Sequence, residues 1–342
     1  MPSVGADFSI VPYTSAIDLP QLVWETFRSH QCDANIMYPQ AEQCRVRERR
    51  GESSRSIWIT CTTAERSDSP TVDFVLSFTE GPLGQYPVFI FTTLPHNEHH
   101  RESTRRRLRA MARLLAQNVR PERVFSVFAP EQITRTFASL WTEETGIGLD
   151  ANPAYYAAKF SHCTARSFRP RQQSVLPGVS YDLRLARDED AVRCAELCYG
   201  FAEESEPFVL TAEGALKEAK LLISKSQLWV HEISEAGMAP EIASIVAVTR
   251  TSESVAAITK VYTNPRWRQR RCAERLVRRV CKHLLKSKEK VVLYVAHNNP
   301  AAAKVYDRVG FLGLGPTSSA VPEVSSWLEL GFDRNLVTLG HW

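Results

Sequence analysis

The sequence predicts a mixed α/β (α+β) chain of two tandem domains, and three observations carry that reading. One order of elements, strand, helix, three meandering strands, helix, strand, helix, strand, is legible twice, without an alignable sequence repeat. Between the two copies lies TARSFRPRQQSVLPGVS, residues 164–180, where two prolines and a glycine sit among polar residues with little periodicity, as in a linker. At 342 residues and 44% hydrophobic composition the chain is long and apolar enough for two cores of ordinary size. The expected domains are therefore 1–163 and 181–342, joined by 164–180.

In the first copy, FSIVPY is a strand and IDLPQLVWETF a helix, and a polar stretch then runs to residue 55. IWITCT, VDFVLSF and YPVFIFTTLP read as three strands rich in β-branched and aromatic residues. Leu108, Met111, Ala112, Leu115 and Val119 then recur at helical spacing, with Arg105, Arg106, Arg109 and Arg113 off that stripe, so residues 101–119 form an amphipathic helix. RVFSVFAP is a strand, ITRTFASLWTEETG a helix stopped by Gly146, and YYAAKFSHC a strand. After the linker YDLRLA is a strand, and DAVRCAELCYGF and TAEGALKEAKLLISK are helices. QLWVHEIS, IASIVAVT and AAITKVYT follow as strands, then a helix over 271–287, the strand VVLYVAH, the helix PAAAKVYDRV and the closing strand SSWLELGF.

Composition excludes several classes. The net charge is only +4 and charged residues make up 23%, which fits neither a disordered polyelectrolyte nor a nucleic-acid coat. The N-terminal MPSVGADFSIVPYTS has neither the basic start nor the apolar run of a secretory signal, and no 18-residue apolar stretch follows, so the expectation is a cytoplasmic protein without membrane association. The eight cysteines form no CxxC pair and read as reduced core thiols. His96, His99 and His100 follow Pro95 in a polar turn and lack partners at zinc-finger spacing, so they read as a solvated loop entering a helix, and no metal is expected.

The informative segment runs from Ala257 to Phe311. A strand ends at Pro265, and the turn Arg266-Trp267-Arg268-Gln269-Arg270-Arg271 enters a helix with the apolar stripe Ala273, Leu276, Val277, Val280, Cys281 and Leu284. A helix N-terminus presents unpaired N–H groups and the positive end of its dipole, so it favours an anion before any side chain is counted. Residues 264–290 add eleven Arg and Lys against two Glu. Arg275, Arg278, Arg279, Lys282 and Lys286 read as a solvated outer face, whereas four arginines within six residues at the turn read as phosphate-binding. Neither an aromatic stacking platform nor a zinc module accompanies them, so nucleic acid is not expected. After the next strand, Asn299 reads as an N-cap with Pro300 at the first helical position, and Gly310 as the helix stop.

The run VYTNP, then RxxRxA opening a helix, then NxxAxxxYxxxGF after the following strand, resembles the acetyl-CoA-binding half of the GNAT acetyltransferase superfamily. The element order of 179–340 is similar to that fold throughout, and the earlier copy then reads as a second, degenerate one. The resemblance implies two tandem GNAT-like domains, each a mixed, mostly antiparallel twisted sheet flanked by helices. It implies acetyl-CoA or another acyl-CoA as cofactor, with the backbone of Val261, Tyr262 and Thr263 pairing with the pantetheine arm. It further implies that the amides of Gln269, Arg270, Arg271, Cys272 and Ala273 hold the pyrophosphate, with Arg268 opening the family's Q/R-x-x-G-x-G/A motif. Asn299 would hydrogen-bond the pantetheine, and Tyr306 would act as general acid toward the leaving thiolate. This sequence departs from the motif at its central glycine, which is Arg271, and no glycine lies between Asn264 and Ala273.

The fourth strand offers no glutamate as base. His297 stands two residues before Asn299, either as that base or as a buried histidine bonded to backbone. Glu203, Glu204 and Glu206, in FAEESEPF, either bind a cationic acceptor or form an ordinary exposed turn. The leading expectation is N-acyl transfer to a small-molecule amine. A GNAT-fold enzyme of another reaction type and a non-catalytic CoA-binding scaffold stand beside it.

Overall fold

The computed structural model describes residues 8–52, 55–64, 70–171, 178–315 and 321–340. Part of the expected linker, residues 172–177, lies outside the described residues, as do residues 1–7 of the N-terminal stretch.

In chain order the elements are β1 (Phe8–Tyr13), α1 (Gln21–Ser29), α2 (Tyr38–Arg49), β2 (Ile57–Thr63), β3 (Thr71–Phe78), the small hairpin β4 (Glu80–Gly81) and β5 (Gly84–Gln85), β6 (Val88–Thr92), α3 (Glu102–Asn118), β7 (Ser126–Pro130), α4 (Glu131–Thr145) and β8 (Leu149–Thr164). There follow β9 (Val179–Leu185), α5 (Ala191–Glu203), α6 (Ala212–Ser224), β10 (Leu228–Glu235), β11 (Glu241–Thr251), β12 (Val255–Thr263), α7 (Cys272–Leu284), β13 (Lys290–Ala296), α8 (Pro300–Val309) and β14 (Ser325–Phe332). The stretch read as polar up to residue 55 contains α2, whose buried side is only Tyr38, Pro39, Ala41 and Cys44, too sparse a stripe to register as periodic.

The chain divides into two compact units, and the division departs from the expected boundaries. The first unit runs to Ala158 and takes up the chain again at Ser326, whereas the second is Lys159–Ser325. The closing strand, expected with the second domain, thus belongs to the first: β14 pairs antiparallel with β7, from Trp327↔Pro130 to Gly331↔Ser126. Its Leu328, Leu330 and Phe332 alternate into the core that α3 and α4 cover, together with Leu108, Met111, Phe137 and Trp141. Alternation specifies a strand and its buried face, but not which sheet receives it.

Within the first unit β1, β2, β3 and β6 pair antiparallel in that order, and β6 pairs parallel with β7. Trp24, Phe27 and Tyr38 from α1 and α2 form a ring cluster with Phe91 of β6, filled by protein and buried.

In the second unit β9, β10, β11 and β12 form an antiparallel meander, and β13 joins β12 in parallel. One core packs α7 and α8 on the sheet through Val246, Ala256, Ile258, Leu276, Val280 and Tyr306. A second packs α5 and α6 through Cys194, Cys198, Ala219, Val230 and Ile245. All eight cysteines are buried and free of disulfides. His99, expected in a solvated loop, is buried, with Nε2 2.9 Å from the Leu94 carbonyl oxygen.

Candidate active site

The site begins where two parallel strands part. β12 and β13 pair only from Val255↔Lys290 to Ala257↔Val292, although β12 continues to Thr263 and β13 to Ala296. Two register shifts between β11 and β12, at Ala247/Val248 and Val248/Arg250, bend the ladder just before this point. Val261–Thr263 therefore keep one backbone edge on β11 and have no paired register with β13 on the other. An extended chain fits such an edge as an added strand.

Beyond β12 the turn is built by Asn264, whose Oδ1 accepts from the Arg266 amide at 3.0 Å, and by Trp267, buried with Nε1 donating to Glu241 at 2.9 Å. Gln269 (φ 63°) and Arg271 (φ 58°) both occupy the left-handed region, although neither is glycine. These are two positions where the GNAT motif often carries glycine, so the backbone adopts the shape that the sequence left in question. It does so against a cost of about 1 kcal/mol per residue. Arg271 is also the N-cap of α7, and no side chain caps that end. The first-turn amides at Cys272 and Ala273 consequently have no side-chain cap, and an uncapped helix start next to left-handed residues favours an anion on general grounds.

The four arginines of the turn have different surroundings. Arg266 is tied to Glu235 and Glu241. Arg268 donates Nε to the Thr263 carbonyl at 3.2 Å and Nη2 to Glu204 at 2.5 Å, with its guanidinium 5.3 Å from the Tyr262 ring centroid. Arg270 stacks on Trp267 at 4.8 Å, and it and Arg271 are exposed without a carboxylate partner among the described residues. The acid in the first turn of α7, Glu274, is 3% exposed and contacts Arg308 at 2.7 Å, Arg278 at 3.0 Å and Arg171 at 3.5 Å. Burial opposes its ionisation, but the Arg308 and Arg278 guanidiniums outweigh that and hold its carboxyl below the usual range. Glu274 thereby fastens α7 to α8 without leaving a net negative charge at the helix start.

Asn299 caps α8, its Oδ1 accepting from the Ala302 amide at 2.9 Å, and its amide group lies in the exposed turn. Gly310 ends that helix at φ 117°, where a Cβ would strike the Ser167 carbonyl. Tyr306 lies one turn before it, 7% exposed, with Phe311 edge-on at 5.7 Å. Burial, and next the Cys281 thiol, push its phenol well above the ordinary tyrosine value. His297 is exposed in the turn after β13, so the buried, backbone-bonded form is not what the structure shows. Glu203, the last residue of α5, and Glu204 and Glu206 beyond it are exposed, and of the three only Glu204 reaches the turn.

Two further groups carry no signal in the sequence. Glu218 of α6 holds Lys260 of β12 by two contacts of 2.6 and 2.7 Å, both side chains largely buried. Its carboxylate comes from a helix face whose pattern reads simply as amphipathic. His231 of β10 is fully buried beside Cys272 and Arg275, its ring nitrogens lacking a well-aligned hydrogen-bond partner among the described residues. Burial, and next the Arg275 charge, lower its pKa to about 4. Among the described residues no group of three or more His, Cys, Asp or Glu is placed to hold a metal ion, and no helix is long and apolar enough to cross a membrane.

The strand edge without a register to β13, the left-handed turn and the tyrosine of α8 all fall within one stretch of the second unit. Residues 193–311 match the model of the acetyltransferase (GNAT) family. The whole chain is tandem GNAT-like, as its likeness to solved structures shows at the level of fold. A tandem GNAT protein from the clavulanic acid biosynthesis pathway is 14% identical at TM-score 0.50, covering 95% of this chain and 98% of its own. A Drosophila melanogaster protein is 13% identical at TM-score 0.58, covering 95% and 99%. A GCN5-related N-acetyltransferase from Sphaerobacter thermophilus is 14% identical at 0.50, covering 96% of each chain. No curated protein matches the sequence.

Proposed function

We propose that the second unit is an acyl-CoA-dependent N-acyltransferase, acetyl-CoA being the favoured donor, that acts on a small-molecule amine. The observation that carries this is the left-handed backbone at Gln269 and Arg271. The turn keeps a phosphate-cradling shape in the absence of glycine and leads directly into an uncapped helix N-terminus.

In this reading the residues present fit the cofactor. Val261–Thr263 supply the strand edge for the pantetheine arm, and the amides of residues 269–273 hold the pyrophosphate with Arg268 and Arg271 beside them. The Asn299 side-chain amide, whose oxygen is already engaged in the cap, has its N–H groups to donate. The cofactor supplies the acyl group as a thioester. Tyr306 keeps its proton at neutral pH because burial disfavours the phenolate, and it serves as the general acid. His297 and Glu218 are the candidates for receiving the proton of the amine. The eight unpaired thiols suit a reducing compartment, and we place the protein in the cytoplasm.

Calorimetric titration with acetyl-CoA, followed by thiol release in the presence of a panel of amines, tests the proposal. Micromolar binding with amine-dependent thiol release supports it. Binding without release points to a CoA-binding scaffold, and absence of binding removes acyl-CoA chemistry.

A further inference from the structure

Arg268 stands on the donor side of the reaction proposed above, and Glu204 is one of the three acids that the sequence offers for a cationic acceptor. Arg268 opens the phosphate turn, whereas Glu204 belongs to the acidic loop after α5. The structure nevertheless joins them at 2.5 Å. Tyr262 completes the cluster, its hydroxyl 3.5 Å from the same Glu204 oxygen and its ring under the Arg268 guanidinium. Gly200 of α5 makes room for that ring, since a Cβ there would stand 2.6 Å from the Tyr262 hydroxyl. Loop and turn are thus packed on one tyrosine.

We infer that this ion pair is a shared contact that couples donor and acceptor: phosphate binding at Arg268 releases Glu204, which then receives the ammonium group of the amine. The inference rests on the transferase reading. The side chains of both partners are about half exposed, at 44% and 55%, and such pairs are worth little in water. A phosphate offers more charge and a bidentate partner for the guanidinium fork, and the α7 dipole adds to its pull on the anion. A released Glu204 carboxylate beside a half-buried tyrosine recognises a cation, and this identifies the acceptor as an amine that arrives protonated. The coupling is reciprocal, so a bound ammonium equally favours the phosphate.

The test uses the full chain and two probes. CoA is titrated calorimetrically into wild type, Glu204→Gln and Glu196→Gln, the last removing an equal charge from the exposed face of α5. Glu204→Gln is expected to bind CoA about two- to fivefold more tightly, in line with release of an exposed pair, while Glu196→Gln matches wild type. Unchanged or weaker binding in Glu204→Gln, or an equal gain in Glu196→Gln, overturns the coupling. With n-butylamine at neutral pH, binding is expected to strengthen when CoA is saturating and to lose that gain in Glu204→Gln. Equal n-butylamine affinity with and without CoA overturns the acceptor half. Wild type that binds no CoA removes the transferase reading itself, an outcome distinct from both.

Discussion

The two units reach their central helices through turns of similar length but opposite character. Neither α7 nor α3 has a side-chain cap at its start, but in the second unit β12 leads to α7 through two left-handed residues. In the first, β6 leads to α3 through a turn closed by its own groups: His99 bonds the Leu94 carbonyl, Thr104 donates to the Glu98 carbonyl at 2.9 Å, and Arg101 precedes the helix at an ordinary φ of −70°. The arginines differ as well. Arg105 and Arg109 of α3 pair with Glu143, and Arg107 pairs with the buried Asp73. Arg270 and Arg271 face solvent. Arginines crowd both helix starts, and what distinguishes the second is the left-handed backbone of its turn.

The contrast can be broken most forcefully at the two helices that follow. Tyr306→Phe should lower transfer about 10³-fold with CoA affinity within twofold, whereas Thr142→Val, at the matching place in α4, should leave the rate unchanged. Thiol-release kinetics decide it, and a Tyr306→Phe rate near wild type ends the general-acid assignment. Glu274→Ala should cost about 3 kcal/mol or more, because Arg278 is left in a largely buried place without its carboxylate. Glu102→Ala, exposed in the first turn of α3, should change stability by less than about 0.5 kcal/mol. Urea denaturation compares the two.

The buried histidines give a pH test. An unfolded imidazole takes its proton near pH 6.5, whereas His231 does so only near 4, so between these values the unfolded state binds more protons. Its stabilisation is complete above pH 6.5 and is lost as pH falls to 4, by up to about 3 kcal/mol. His231→Leu should flatten that part of the stability profile more than the same change at His99, whose pKa is also lowered by burial, an effect opposed in part by the Leu94 carbonyl. The smallest effect has the sharpest sign. Arg271→Gly should stabilise by about 1 kcal/mol by relieving the left-handed backbone, and Arg101→Gly should destabilise by about 0.5 to 1 kcal/mol through added unfolded-state freedom. Thermal melts in which both shift the same way would undo the comparison.

How far the sequence disclosed all this depends on the range of each interaction. Helices with strong stripes, such as those containing Leu108 and Leu276, and strands such as IWITCT declared themselves through local period. The caps at Asn299 and Gly310 were legible because capping is chemistry of adjacent residues. The joining of Glu204 to Arg268, of Glu218 to Lys260 and of Glu274 to three arginines was not, since these partners meet only through tertiary packing. The dihedrals at Gln269 and Arg271 were hidden for another reason: residue type argued against them, and the surrounding fold overrode it.

The placement of β14 bears on how the chain assembles. All of the second unit leaves the ribosome before the strand that completes the first unit's sheet, so the second can finish folding while the first still presents the open edge of β7. The first unit, despite coming first in sequence, cannot complete its sheet until β14 has been made.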